Sequence, residues 1–223
     1  NRKSNDLKMY EFGKTYAIKE DGKYEEKRKF ILLATGRKNG ESWNTKSEDK
    51  DFFWMKEQVE HVLNRLGLTN YKGSNSSLSY LVDGYNLKSK KNSIVEFGYV
   101  QKKLLNAFNI KSDVLYAEFD WDFIIKSCVK PKTSYKEISK FPIVKRDLAL
   151  LIDENIAFST LKSIAKQTES KLLKNVHLFD VYQGEKLPKG KKSYALSFLI
   201  EDEEKTLTDK QIDKVMNNLI LAF

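Results

Sequence analysis

Asp180 and Tyr182, an acid and a phenol two residues apart, are the side chains in this sequence whose types best suit a chemical task. They lie in the stretch VHLFDVYQGEKLPKGKKSYALSFL, where two apolar runs flank a turn rich in glycine and lysine. Strict alternation predicts that Val176, Leu178, Asp180 and Tyr182 share one face of a strand. On an open sheet, a ring beside a hydrogen-bond acceptor can stack on and read an unpaired base. From the pattern alone, a β-favouring surface tyrosine with a solubilising acid is the alternative.

Metal and nucleophile chemistry finds little support elsewhere in the chain. One cysteine, Cys128, and two histidines, His61 and His177, cannot build a disulfide framework or a Cys/His zinc site. The acidic pairs at 49/51 and 120/122 stand among lysines at predicted helix starts, where capping is the commoner role. We therefore expect no catalytic residue and no metal ligand in this chain.

Composition and charge set the broad class. The 223 residues are 40% hydrophobic and 32% charged, which is typical of a folded, soluble protein. The net charge of +9 lies mostly in residues 1–133, with +7, against +2 in residues 134–223, so a lysine-rich surface explains it as well as a nucleic-acid partner does. Because no apolar run approaches the roughly 20 residues of a membrane span and no signal-peptide pattern is present, we expect a cytoplasmic protein. A strand begins within a few residues of Asn1, which suggests a piece of a longer chain.

The chain is predicted to form two domains, residues 1–133 and 134–223, joined by a polar linker at 127–140. In the first domain, strand signals at 8–18, 29–36, 77–84 and 93–100 alternate with helix signals, and 114–126 is predicted to be a strand that runs into a helical turn. The longest predicted helix begins at Asp51 and ends at Gly67. The pattern indicates a mixed sheet with helices beside it.

The second domain shows the order β-α-β-β-α, which is five of the six elements of a split βαβ fold. Its strands are predicted at 143–153, 175–184 and 191–202 and its first helix at 158–172, while Thr208 and Gln211 have the spacing of a capping box at the start of the last helix. Two helices must cover one face of the sheet. Phe179 and Val181 suit that covered face, which leaves Asp180 and Tyr182 on the open one.

Two sets of motifs resemble a known family. FPIVKRDLALLID, LFDVYQG, GKKSYALSF and KTLTDKQI are similar to the C-terminal ferredoxin-like anticodon-binding domain of the bacterial phenylalanyl-tRNA synthetase beta subunit. YEFGKTY, LLATGR, DFFWMKEQVEHVLNRLGL and EFGYVQKKLL are similar to the module that precedes it. The resemblance implies an α+β chain: a catalytically inactive, class II synthetase-like module with a mixed or antiparallel sheet at 1–133, and a ferredoxin-like domain lacking its last strand at 134–223.

The resemblance also implies site residues on the open face of the second sheet. Tyr182 would stack on the first anticodon base, and Asp180 would accept hydrogen bonds from base edges. Ser193 would make a polar contact, while the small Ala149 would let a base approach the backbone. The lysines of the turn, expected to contact phosphates, are Lys191 and Lys192. The family's C-terminal arginine, in the closing strand, has no counterpart here.

The function implied is that of a C-terminal fragment of the phenylalanine–tRNA ligase beta subunit. Its partners would be tRNA(Phe) and the catalytic alpha subunit, in a heterotetramer of two alpha and two beta chains. ATP and magnesium would serve the intact enzyme, in the alpha subunit, and no cofactor is expected in this chain. One alternative is an assembly scaffold whose anticodon face is idle because the closing strand is absent. A third hypothesis is a free-standing enzyme on the ferredoxin-like fold, but no set of residues in the sequence supports it.

Overall fold

The computed structural model describes residues 5–128, 135 and 137–223. The chain divides into two compact units, Asn1–Thr133 and Ser134–Phe223. Much of the linker expected at 127–140 lies outside the described residues. Within the described ranges, no helix combines the length and the apolar character needed to cross a bilayer.

The first unit is built on a six-stranded sheet with helices packed against it. All of its strand pairs are antiparallel, in the order β1-β2-β6-β5-β4-β3. The mixed sheet that the strand and helix pattern indicates is therefore wrong, and the chain adopts the antiparallel arrangement, the other one expected. The elements are β1 Leu7–Ile18, β2 Tyr24–Thr35, α1 Phe52–Arg65, β3 Lys72–Asn75, β4 Leu81–Ser89, β5 Asn92–Val100, α2 Lys102–Ala107, β6 Val114–Asp120 and α3 Trp121–Ser127.

Helix α1 begins and ends where the sequence predicts. The Asp51 side chain accepts a hydrogen bond from the Trp54 backbone N–H at 2.8 Å and so caps one of the free donors of the first turn. Met55, Val59 and Leu63 are buried on one face of the helix, against the sheet. Gly67 has φ +74°, the left-handed conformation that commonly stops a helix.

Strand β3 is the element that the sequence analysis does not predict. Its residues, KGSN, are polar and small, so they carry no apolar period. The strand exists because its backbone pairs with β4, from Lys72 opposite Lys88 to Asn75 opposite Tyr85. Pairing with the neighbouring strand therefore stabilises an extended backbone that the local sequence does not favour.

The second unit has the predicted order β-α-β-β-α. Its elements are β7 Val144–Asp153, α4 Phe158–Thr168, β8 Leu173–Tyr182, β9 Lys191–Ile200 and α5 Asp209–Ala222, and the sheet order is β7-β9-β8. Helix α4 ends four residues earlier than predicted, because the Glu169 side chain accepts hydrogen bonds from the backbone N–H groups of Lys171 and Leu172 and turns the chain. The capping box of Thr208 and Gln211 is present at the start of α5.

The core of the second unit lies between the sheet and its two helices. Strand β9 is central, and its alternate residues are buried, with Leu196, Phe198 and Ile200 fully so. They pack against an apolar stripe on each helix, whose buried members are Leu161, Ala165, Ile212, Val215 and Leu219. One face of the sheet is therefore covered, and the other faces away from both helices.

Candidate nucleic-acid interface

The face of each strand residue in the second sheet follows from its pairing with β9. Residues directly opposite in an antiparallel pair project to the same side. Tyr194, Leu196 and Phe198 are buried under the helices, so Ser193, Ala195 and Ser197 lie on the open face. Their partners on β7 and β8 lie on the open face with them.

Strand β8 does not alternate regularly, and this corrects the face assignment made from the sequence. Its pairing with β9 shifts between Leu173 and Asn175 and again between Leu178 and Asp180, leaving an extra residue on β8 at each shift. Each extra residue is a β-bulge. The second bulge, at Phe179, changes the side on which the following residues project.

Four residues of β8 are affected by this change. Val176 and Leu178 pair with buried Phe198 and Leu196, so they face the helices and do not share a face with Asp180 and Tyr182. His177 was expected on the covered face, but it pairs with Ser197 on the open one. Phe179 was also expected to be covered, and its side chain is 58% exposed.

Four of the six expected site residues nevertheless come together on the open face, in two adjacent rows across the strands. In the first row Tyr182 on β8 lies opposite Ser193, which lies opposite Leu151 on β7. In the second row Asp180 lies opposite Ala195, which lies opposite Ala149. The rows are about 7 Å apart along β9. A ring, a carboxylate and a hydroxyl thus flank a floor of two alanines, where a planar group can approach the backbone.

The Tyr182 ring lies over Gly184, a glycine of the turn, and the sequence analysis does not predict this contact. A Cβ atom added at Gly184 would lie 2.7 Å from the Tyr182 hydroxyl oxygen and 2.8 Å from its Cζ. Only a residue without a side chain leaves this space for the ring. Because Tyr182 as a whole is 42% exposed, the ring rests on Gly184 and remains open to a stacking partner.

The two lysines of the turn have different environments. The Lys191 ammonium pairs with Asp153 at 2.7 Å at the surface. Lys192 was expected to contact phosphate, but the structure corrects this: it pairs with Ile152 on the covered face, is 7% exposed and donates to the Glu154 carbonyl at 2.8 Å. Its ammonium also lies 4.6 Å from the centre of the Tyr194 ring. Lys192 is therefore a packing residue.

One member of each acidic pair in the first unit caps a helix, Asp51 for α1 and Asp120 for α3. Asp120 caps α3 by accepting from the Phe123 N–H at 2.9 Å, and Asp122 accepts from the Arg28 backbone N–H and side chain. The Trp54 backbone N–H holds the pKa of Asp51 below its usual range, and the Arg28 backbone N–H does the same for the pKa of Asp122. Among residues 5–128, 135 and 137–223, no group of three or more His, Cys, Asp or Glu side chains is placed to hold a metal ion.

A second polar cluster lies in the first unit, around Glu118. Tyr80 and Tyr116 donate to one carboxylate oxygen at 3.1 and 2.9 Å, and the Lys29 ammonium lies 2.7 Å from the other. Burial would raise the pKa of Glu118, but the bonds from Lys29 and the two phenols outweigh burial and lower it. Burial, aided by the carboxylate charge, raises the pKa of Tyr80 to about 12 and raises that of Tyr116 further. The phenols stay neutral and keep donating to Glu118, so the cluster fixes β6 to Lys29 on β2 and to Tyr80.

Alkaline pH should weaken this cluster. A tyrosine whose pKa is higher in the folded state binds its proton more tightly there, so its contribution to stability is complete below pH 10 and is lost as the pH rises through about 12. We expect Tyr80→Phe, which loses the hydrogen bond to Glu118, to be less stable than the parent at neutral pH. The difference in unfolding free energy between the two should narrow above pH 10. Urea titrations at a series of pH values, followed by tryptophan fluorescence, measure the unfolding free energies of the variant and the parent. A difference in unfolding free energy that stays constant across the pH range would contradict the prediction. Tyr24→Phe, at an 81% exposed site, is the control.

Two models of known families match this chain, one in each unit. The model described as "Ferredoxin-fold anticodon binding domain" matches residues 139–223. The second unit is thus an anticodon-binding domain of the ferredoxin fold, and the chain as a whole is an α+β protein with antiparallel sheets. The model described as "Phenylalanyl tRNA synthetase beta chain CLM domain" matches residues 1–121. The chain belongs to the phenylalanyl-tRNA synthetase beta-chain family.

Individual relatives agree across nearly the whole chain. The phenylalanine–tRNA ligase beta subunit of Bacteroides thetaiotaomicron is 45% identical over an alignment of 231 positions. The alignment covers 99% of this chain and 28% of that protein. The subunits of Porphyromonas gingivalis and Fusobacterium nucleatum are 36% and 35% identical, over 96% and 99% of this chain and 28% of each protein. The chain therefore spans a little over a quarter of the length of these relatives.

Proposed function

We propose that this chain supplies the anticodon-binding surface of a phenylalanine–tRNA ligase beta subunit. The observation that carries the proposal is the pair of rows on the open face, which bring Tyr182, Ser193, Asp180 and Ala149 together. The Tyr182 ring would stack on one unpaired base of tRNA(Phe) and the Asp180 carboxylate would accept hydrogen bonds from base edges. The Ser193 hydroxyl would add a polar contact, and Ala149 would leave room for the base.

The first unit would have the architecture of a class II synthetase core without its chemistry, and it would hold the catalytic alpha subunit in place. In the intact enzyme ATP and magnesium would act in that alpha subunit. The donor set of the described residues does not fit such a role, because the paired carboxylates cap helices or bind Arg28 instead of converging. We expect the isolated chain to be catalytically inactive, and to work in the cytoplasm with the alpha subunit.

The binding test compares two RNAs. The full chain is titrated with the anticodon stem–loop of tRNA(Phe) and with the same stem carrying a permuted anticodon. The parent should prefer the first, and Asp180→Ala should reduce the ratio of the two affinities by about fivefold or more, the low end for one base contact. Asp213→Ala, which removes an exposed acid on α5, away from the open face, is the control. Equal binding of both RNAs by the parent would refute the proposal and favour the assembly-scaffold alternative.

Lys191 provides a separate prediction about phosphate contacts. A phosphate contact carries no sequence information and weakens with salt. Lys191→Ala should lower the affinity for both stem–loops alike and reduce the slope of log affinity against log salt by about 1. Lys192→Ala should leave the slope unchanged, since that ammonium is buried and bonded to the Glu154 carbonyl. Equal slopes for the parent and Lys191→Ala would show that Lys191 does not contact phosphate.

A further inference from the structure

We propose that Phe179 is a second stacking platform, which holds another unpaired base of the same RNA beside the base on Tyr182. Lys145 and Ser197 would form the polar part of this second subsite. The inference rests on the proposed function and extends it, because that function assigns Phe179 no role.

The position of Phe179 is the first observation. The bulge between Leu178 and Asp180 frees this residue from the alternation of β8, and its side chain is 58% exposed. The Lys145 ammonium, on β7, lies 5.8 Å from the centre of its ring. Since β9 lies between β7 and β8, and Lys145 pairs with Leu199 on the open side, this contact spans the open face. The Phe179 ring is therefore on the same face as Tyr182, three residues or about 10 Å along the strand.

The second observation is an unsatisfied hydroxyl beneath that span. Ser197 lies on the open face in a third row, between Asp147 on β7 and His177 on β8. It is 3% exposed, and its Oγ has no hydrogen-bond partner among the described residues. A buried polar group without a partner is costly and uncommon in folded proteins. A ribose hydroxyl or a base edge of a nucleotide held on Phe179 would give this Oγ a partner.

Lys145 completes the subsite as an exposed cation. Its side chain is 63% exposed, and its ammonium lies 3.9 Å from Asp147 Oδ1. At an exposed site an ammonium–ring contact is weaker than the stacking of a base on an aromatic ring. An arriving base can therefore displace the ammonium from the ring and leave the charge free to meet a phosphate.

The experiment follows stacking directly. The full chain is titrated with anticodon stem–loops of tRNA(Phe) that carry 2-aminopurine at one loop position at a time, because stacking quenches its fluorescence. Phe179→Ala should weaken binding by about 5- to 150-fold and should restore fluorescence at one position. That position should differ from the one restored by Tyr182→Ala. Phe179→Tyr should bind like the parent, as should Val181→Ala, a half-exposed apolar residue whose partner Tyr194 is on the covered face.

The outcomes separate this inference from the proposed function. If Tyr182→Ala weakens binding and Phe179→Ala does not, the second platform is refuted and the anticodon surface stands. If the parent binds no stem–loop, both are refuted. Ser197→Ala supplies a second readout: it should weaken binding without lowering the unfolding free energy, since no hydrogen bond is lost. Unchanged binding by Ser197→Ala would exclude this hydroxyl from the subsite.

Discussion

Replacing Phe198 with alanine is expected to lower the unfolding free energy of the second unit by about 3–5 kcal/mol. The Phe198 ring is fully buried between the central strand and the two helices, with the Phe223 ring 6.1 Å away. Truncation would remove its apolar contacts and leave a cavity that the surrounding side chains cannot fill completely. Because folded domains are stable by only about 5–15 kcal/mol, such a loss is a large share of the total.

Hydrogen exchange of the β9 amides measures this effect in the second unit. The three tryptophans, Trp43, Trp54 and Trp121, all lie in the first unit, so their fluorescence reports on the first unit separately and should not change. Phe179→Ala is the matched control, with the same side chain truncated on the open face, and should cost less than about 0.5 kcal/mol. Equal destabilisation by both substitutions would mean that the faces are assigned wrongly.

Replacing Tyr182 with alanine is expected to weaken binding of the tRNA(Phe) anticodon stem–loop by about 1–3 kcal/mol, the range for one base stacked on an aromatic side chain. Tyr182→Phe should keep most of the affinity, because stacking needs the ring rather than the hydroxyl. Gly184→Ala should lie between the two, since the new Cβ would displace the ring without removing it. Fluorescence titration with the 2-aminopurine stem–loops measures the affinity of all three variants.

Tyr24→Ala, which removes an exposed tyrosine from the first unit, is the control for the loss of a ring from the surface. Before affinities are compared, each variant should show the same hydrogen-exchange pattern as the parent, which establishes that it is folded. If Tyr182→Ala binds the stem–loop as tightly as the parent, the ring has no stacking role and is a β-favouring surface residue.

Features that depend on a few neighbouring residues could be predicted from the sequence. The Asp51 cap of α1 joins residues three apart, and the Thr208–Gln211 box of α5 does the same. The apolar stripes of these helices follow a period that the backbone geometry imposes. The order of elements in the second unit follows from the same local patterns.

Features that depend on strand pairing could not be predicted. Strand β3 has no apolar pattern, and Lys192 is charged yet buried because its ammonium reaches a backbone carbonyl and a ring. The bulges of β8 left one signal: the residues that face the helices, Leu173, Val176, Leu178 and Val181, are spaced by three, two and three. Regular alternation would give twos throughout. Strict alternation therefore misplaced Phe179, although Asp180 and Tyr182 lie on the open face.

The bulge at Phe179 also determines where β8 can change in length. Deleting Phe179 would leave Leu178 opposite Leu196 and Asp180 opposite Ala195, so every remaining pair of the strand keeps its partner. Deleting Val181 instead would bring Tyr182 opposite Tyr194, turning its ring toward the helices. A one-residue shortening of β8 is therefore compatible with the sheet at Phe179 and incompatible with it at Val181.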